Sequence, residues 1–359
     1  MNTNVKIAYT CRQVGFFQAA AHLNEIRFPK AGDVALWEVI SIGKHSAIQG
    51  TDRALITIMP GDQLLMTFGN RYASEQFEGY VPETPVAEAE ILGQGGVVGY
   101  MASVHATYRR VGTTKLRLLG YALDEQGQVI NTLTYRRVKQ NIRPLGQARH
   151  KVILSVGASM DSGKTTSAAY LVRGLKAAGY RTAFIKLTGT AFTKDPDFVR
   201  DMGADLSIDF TRQGYPSTYM CSEAELISLY HSLIAEATDI HPEYIVIEIA
   251  DGLLQRETAM LLSHKGFMDT VDHVLFSCGD SLAAVGGVQV LTEWGIAPFA
   301  LAGMITTSPL MQREAENRLL LPVLKLDQLA QAQVVNYLRP ARQEAMLSPA
   351  QPQYLLQAS

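Results

Sequence analysis

The chain has 359 residues, 47% of them apolar and 18% charged, which excludes a disordered or coiled-coil protein and, by length, predicts two cores rather than one. A formal net charge of −2 lacks the basic excess of a general nucleic-acid binder. Cys11, Cys221 and Cys278 are dispersed and odd in number, which argues against a disulfide framework or zinc site and for a reducing, cytoplasmic setting. No apolar run reaches the roughly 18 residues of a membrane span, so no membrane partner is expected.

Residues 1–145 are predicted to form a β-rich domain. Runs at 35–42, 54–59, 63–68, 97–107, 114–123 and 129–138 are strand-length and rich in β-branched, aromatic and leucine residues. Turn chemistry separates them at Pro60-Gly61-Asp62, 93–99, Val111-Gly112 and 124–127. Such spacing predicts an antiparallel sheet closed into a small barrel or sandwich. The polar, basic stretch 141–151 contains a proline and reads as a linker.

From residue 151 to about 330 apolar strands alternate with helical segments, the pattern of a mainly parallel sheet covered on both faces. Strands are expected at 152–156, 182–185, 244–249, 273–277 and 299–305. Helices are expected at 165–178, ending at Gly179, and at 223–237, 253–262 and 282–293. Residues 331–359 are predicted to be a helix followed by a tail.

Between the first of these strands and the first helix stands Gly157-Ala158-Ser159-Met160-Asp161-Ser162-Gly163-Lys164-Thr165-Thr166. This is the context that a phosphate-binding loop needs, although alanine occupies the usual first glycine position and Gly157 stands one residue earlier. Successive backbone N–H groups can curl round an anion, and the helix N-terminus adds partial positive charge. Lys164 supplies a charge for the β- and γ-phosphates, and the Thr165 hydroxyl can bind Mg²⁺.

The spacing Gly157-x5-Gly-Lys-Thr resembles dethiobiotin synthetase, within the SIMIBI class of P-loop NTPases that also includes the molybdopterin-guanine dinucleotide biosynthesis adaptor. The resemblance covers residues 151–326 only. Asp161 matches an acidic residue inside that family's loop. Lys186, in Phe184-Ile-Lys-Leu-Thr-Gly-Thr, matches a lysine that approaches phosphates and substrate. Glu248, ending Tyr244-Ile-Val-Ile-Glu, matches a glutamate that helps to hold Mg²⁺, with Asp195 the second metal-ligand candidate and Asp197 close behind. Thr307 stands where the family has an asparagine that reads adenine, so ATP is expected and GTP is left open. Asp251 replaces a glycine, which suits an amine or a second cation and argues against diaminononanoate as substrate.

The resemblance implies ATP-dependent activation of a carboxylate or carbamate and its capture by an amine, with Lys164 and Lys186 as catalytic cations, a small-molecule substrate and a homodimer. The alternative is a nucleotide-dependent switch or adaptor with slow NTPase activity. A third reading places an anion- or nucleic-acid-binding face on Tyr108-Arg109-Arg110 and Tyr135-Arg136-Arg137. The loop Gly69-Asn70-Arg71-Tyr72, with Glu75 to Glu78, is a further candidate to face the nucleotide across the domain interface.

Overall fold

The computed structural model describes residues 5–136 and 150–338. The expected linker at 141–151 lies outside them except for its last two residues, as do Arg137 and residues 339–359.

The first part contains strands β1 (Val5–Ile7), β2 (Gln18–Ala20), β3 (Val34–Ser41), β4 (Ala47–Gln49), β5 (Leu55–Thr57), β6 (Gln63–Phe68), β7 (Phe77–Tyr80), β8 (Glu88–Gly93), β9 (Val97–Val104) and β10 (Lys115–Leu123). Antiparallel pairing runs β6–β3–β10–β8–β9. Thr67 and Phe68 of β6 then pair in parallel with Val97 and Val98 of β9, closing the run into a barrel. Closure leaves fewer open edges, and the interior is filled by side chains. Trp37 meets Phe68 edge-on at 5.2 Å, and Phe68 stacks on Tyr121 at 5.8 Å.

Two expectations for this part are corrected. The strand expected at 129–138 is replaced by isolated bridges at Val129 and Asn131 and a 3₁₀ helix, Thr132–Tyr135. The Asn131 side chain accepts from Leu133 N and donates to Asp33 and the Ala31 carbonyl, a local bonding pattern that competes with a ladder. The expected run 97–107 ends as a strand at Val104, and a 3₁₀ turn, Ala106–Tyr108, follows under a His105 cap. Strands β1, β2, β4, β7 and β8 were not anticipated; Glu75 to Glu78, which runs into β7, reads as a polar–aromatic loop.

The second part is a six-stranded parallel sheet of β11 (Lys151–Gly157), β12 (Thr182–Lys186), β13 (Leu206–Asp209), β14 (Tyr244–Glu248), β15 (His273–Ser277) and β16 (Ala300–Ala302), ordered β13-β12-β14-β11-β15-β16. The strand expected at 299–305 is shorter, because Met304–Thr307 turns into a 3₁₀ helix. The helices are α1 (Lys164–Ala177), α2 (Lys194–Asp201), α3 (Glu223–Ala237), α4 (Arg256–Ser263), α5 (Lys265–Met268), α6 (Ser281–Glu293), α7 (Pro309–Leu319) and α8 (Leu326–Leu329).

Both faces of the sheet are covered. Ile153 packs with Ala168, Leu171, Val172 and Leu175 of α1 and Val199 of α2, whereas Val152, Leu154 and Val156 pack with Leu226, Leu229 and Leu233 of α3. A strand that alternates between two buried faces has no polar side to show, hence its nearly unbroken apolar run. The barrel is not a separate bead: Leu92 and Val97 share one core with Leu187, Ala191 and Tyr215 of the second part. No helix among the described residues is long and apolar enough to cross a membrane.

Candidate nucleotide-phosphate site

The chain leaves β11 toward β12 on one side and later returns to β15 on the other, so β11 stands at the point where the strand order reverses. In open parallel sheets that point, at the strands' carboxyl ends, is where ligands bind. The loop 158–163 occupies it.

The loop's shape follows from its glycines. Gly163 holds φ +94° and caps α1, and a Cβ there would come within 2.9 Å of Gly303 Cα. Gly157 explains the displaced motif. A Cβ on it would lie 2.2 Å from Ser162 Oγ and 2.6 Å from Lys164 Cγ, so the stem of Lys164 itself passes over this residue. Ala158 is tolerated one step on, with its N–H bonded to the Ser277 carbonyl at 2.9 Å. Met304 N donates to Ser162 O at 3.1 Å and ties the 3₁₀ segment to the loop. Among the described residues no carbonyl accepts from the backbone N–H of Ser159, Met160, Asp161, Ser162 or Gly163. Unpaired amides ahead of a helix N-terminus form an anion cradle.

The charged groups converge on the same edge. Register places Ser155, Glu248, Lys186 and Asp209 in one row across four strands. Lys164, only 6% exposed, arches back so that its ammonium bonds the Ser159 carbonyl at 2.6 Å. The Thr165 hydroxyl donates to Glu248 Oε1 at 3.0 Å. Lys186 Nζ bonds Asp195 and lies 3.6 Å from Glu248 Oε1. The structure thus brings Lys164, Thr165, Lys186, Asp195 and Glu248 together.

Burial disfavours each charge here and the neighbours decide the outcome. Desolvation pushes the Glu248 carboxyl above its ordinary range despite Lys186 and Lys164. For Lys186, burial is outweighed by Asp195 and Glu248, which hold the ammonium charged; Lys186 in turn outweighs burial at Asp195 and keeps that carboxylate ionised. Burial lowers Lys164, and raises Asp251 at the mouth against the pull of Lys164, Lys186 and Arg71.

A divalent cation fits this set. Glu248 Oε2 is buried without a hydrogen-bond partner, beside the Thr165 hydroxyl on Oε1. No cluster of three or more His, Cys, Asp or Glu side chains suited to a metal is found among the described residues.

Other expected residues are placed differently. Asp197 is occupied by Thr193 at 2.5 Å, Arg200 at 2.7 Å and Arg53. Thr307 is exposed, its hydroxyl bonded to the Met304 carbonyl at 2.8 Å. Arg136 lies over the Tyr215 ring. Asp209 was not anticipated. It ends a four-residue strand, too short to show a pattern, and burial raises its carboxyl although Thr211 bonds it.

The parallel sheet, the switch-point loop and the lysine at the head of α1 have the arrangement of a P-loop fold. No protein-family model and no curated protein matches the chain. Among solved structures, a ParA family ATPase from Chlorobium tepidum TLS aligns at 14% identity and TM-score 0.33, over 52% of this chain and 93% of that one. The signal recognition particle 54 kDa protein from Aeropyrum pernix K1, in complex with GDP, aligns at 15% identity and TM-score 0.37, over 58% of this chain and 50% of that one. Signal recognition particle receptor FtsY from Elizabethkingia anophelis, in complex with GDP, aligns at 16% identity and TM-score 0.33, over 57% of each chain. The alignments thus span only about half the length of the last two proteins.

Proposed function

We propose that the chain binds a nucleoside triphosphate with Mg²⁺, ATP first and GTP not excluded, and uses it to activate a carboxylate or carbamate for capture by an amine, as in a dethiobiotin synthetase-like ligase. The supporting observation is the convergence at the sheet edge of Lys164, folded back over the loop onto the Ser159 carbonyl, Lys186 between Asp195 and Glu248, and the Thr165 hydroxyl on Glu248. A carboxylate oxygen attacks the γ-phosphorus, the bond to the bridging oxygen breaks, and the nucleoside diphosphate leaves. The amine then attacks the acyl carbon, inorganic phosphate departs, and the amine proton passes to Asp251. Lys164 and Lys186 hold the migrating phosphoryl oxygens and neutralise their charge, so no covalent nucleophile is required. Bound Mg²⁺, on Thr165 and Glu248 with Asp195 in reach after release from Lys186, would supply further charge neutralisation. Thr307 is the nearest matched position for a base contact. A cytoplasmic homodimer belongs to the same reading.

One observation favours the switch alternative. The segment that follows β12 and carries Asp195 is pinned to the barrel: Thr193 N donates to Gln49 Oε1 at 3.1 Å, and Gln49 Nε2 donates to Thr193 Oγ1 at 2.8 Å. A thermal-shift comparison of ATP, GTP and CTP with Mg²⁺ tests the common core. At one hundred times Kd the bound nucleotide stabilises by about 2.7 kcal/mol, and Lys164→Ala abolishes the shift. No Mg²⁺-dependent shift in the wild type overturns both readings. Phosphate release that needs an amine–carboxylate pair marks the ligase; slow release indifferent to small molecules marks the switch.

A further inference from the structure

Gln49 ends β4, which pairs with β5 in a two-stranded sheet apart from the main sheet of the barrel. Its side chain is 4% exposed, and a buried amide is costly unless its polar atoms are paired. The partners lie across the seam. Oε1 accepts from Thr193 N at 3.1 Å, and Nε2 donates to Thr193 Oγ1 at 2.8 Å and to the Arg53 carbonyl of its own turn at 3.0 Å. The Gln49 backbone is in turn tied to the barrel, its N–H donating to the Gln94 carbonyl at 2.8 Å.

Thr193 is 1% exposed and immediately precedes α2, where a threonine hydroxyl ordinarily accepts from the helix's own backbone. Here it makes no such cap. The hydroxyl accepts from Gln49 instead and donates to Asp197 Oδ2 at 2.5 Å. The other oxygen of Asp197 is held by Arg53, from the same hairpin, and by Arg200 at 2.7 Å. The barrel thus fixes the start of α2 in place of the helix's own cap. Two residues beyond Thr193 stands Asp195, whose carboxylate bonds Lys186, and Lys186 lies 3.6 Å from Glu248 Oε1. One turn of backbone therefore separates the Gln49 contact from the charges at the sheet edge.

We propose that Gln49 is a positioning residue for Asp195: through Thr193, the barrel's hairpin holds the first turn of α2 where the Asp195 carboxylate can pass from Lys186 to a metal at Thr165 and Glu248. A group that orients a ligand without touching the metal tunes the affinity for it. The β-rich part therefore contributes to the nucleotide site although none of its side chains need meet the nucleotide. The inference rests on the nucleotide–Mg²⁺ core of the proposed function and is the same for the ligase and the switch.

The test titrates the full chain with the non-hydrolysable imido analogues of ATP and GTP, each in Mg²⁺ and in EDTA, for wild type, Gln49→Met and Thr193→Val. Both substitutions keep the bulk of the side chain and remove its part in the clamp. Other contacts keep the two parts docked: Asn70 Nδ2 donates to the Tyr219 carbonyl at 3.2 Å, and Leu92 and Val97 stay in the shared core. In each variant the gain in affinity that Mg²⁺ brings is expected to fall about tenfold, as for residues that orient metal ligands, with affinity in EDTA as in the wild type. Hydrogen exchange on the ligand-free chain is the second readout: the amides of Thr193 and the first turn of α2 should exchange about tenfold faster in Gln49→Met. If Gln49→Met fails to fold, Thr193→Val decides from the other side of the contact. Equal losses in Mg²⁺ and EDTA would mark general loosening and overturn the proposal, as would unchanged exchange or a folded variant with the wild-type Mg²⁺ gain. A wild type that binds both analogues equally in Mg²⁺ and EDTA overturns the metal site and this inference together, whereas failure in the variants alone removes only the role of Gln49.

Discussion

Replacing Gly157 by alanine tests the shape of the phosphate loop at the point where the motif departs from its usual spacing. The added Cβ would sit 2.2 Å from Ser162 Oγ, 2.6 Å from Lys164 Cγ and 2.8 Å from Lys164 Cδ. Two of these three atoms belong to the lysine stem, so relief requires moving Lys164, the residue proposed to meet the phosphates. Overpacking of this kind costs about 1–3 kcal/mol, and if it falls on the bound state it weakens Mg²⁺–nucleotide affinity about 5- to 150-fold. Calorimetric titration of Gly157→Ala measures this directly. Ala158→Gly, which introduces no clash, should weaken binding by much less. Equal affinity for Gly157→Ala and wild type would show that Lys164 does not cross Gly157 as described, and would refute the account of the displaced glycine.

Two further outcomes follow from the same charges and burial. Glu248→Gln removes the carboxylate beside the Thr165 hydroxyl; nucleotide affinity measured with and without EDTA should lose most of its Mg²⁺ dependence, and a variant that keeps it would move the metal elsewhere. Burial, then Arg71 and Lys44, lower His45 from 6.5 to about 3. The unfolded ring thus binds the extra proton first, and stability falls as pH drops from about 6.5 toward 3, by about 1.4 kcal/mol per decade at most. Urea midpoints at pH 7 and pH 4 should converge in His45→Gln relative to wild type, and an unchanged pH difference would count against a buried neutral ring.

Legibility in the sequence tracked how local each signal was. The unit of β11, loop and α1 was readable because the three are contiguous, and because Gly163, Lys164 and the helix stop at Gly179 lie at fixed spacings. Glu248 was readable as the polar end of four apolar residues. The barrel's closure was not, since the parallel pairing of Thr67–Phe68 with Val97–Val98 is a contact between distant segments of few residues. Asn131 misled the strand reading, because a side chain that bonds the backbone two residues on leaves no mark in hydrophobic alternation. Asp197 and Asp195 are equivalent by spacing; only the positions of Arg53, Thr193 and Lys186, brought in by the fold, tell them apart.

The shared packing of Leu92 and Val97 with Leu187, Ala191 and Tyr215 has a consequence for the chain's history as well as its handling. Neither half can drift freely in sequence or be excised at the seam without uncovering greasy surface on the other. A change at Leu92 or Val97, on the barrel face that packs against the second part, therefore reaches the strand that ends in Lys186 through the core they share. Mutational tolerance along residues 92–97 should look like that of a protein interior, although the sequence there reads as a glycine-rich turn.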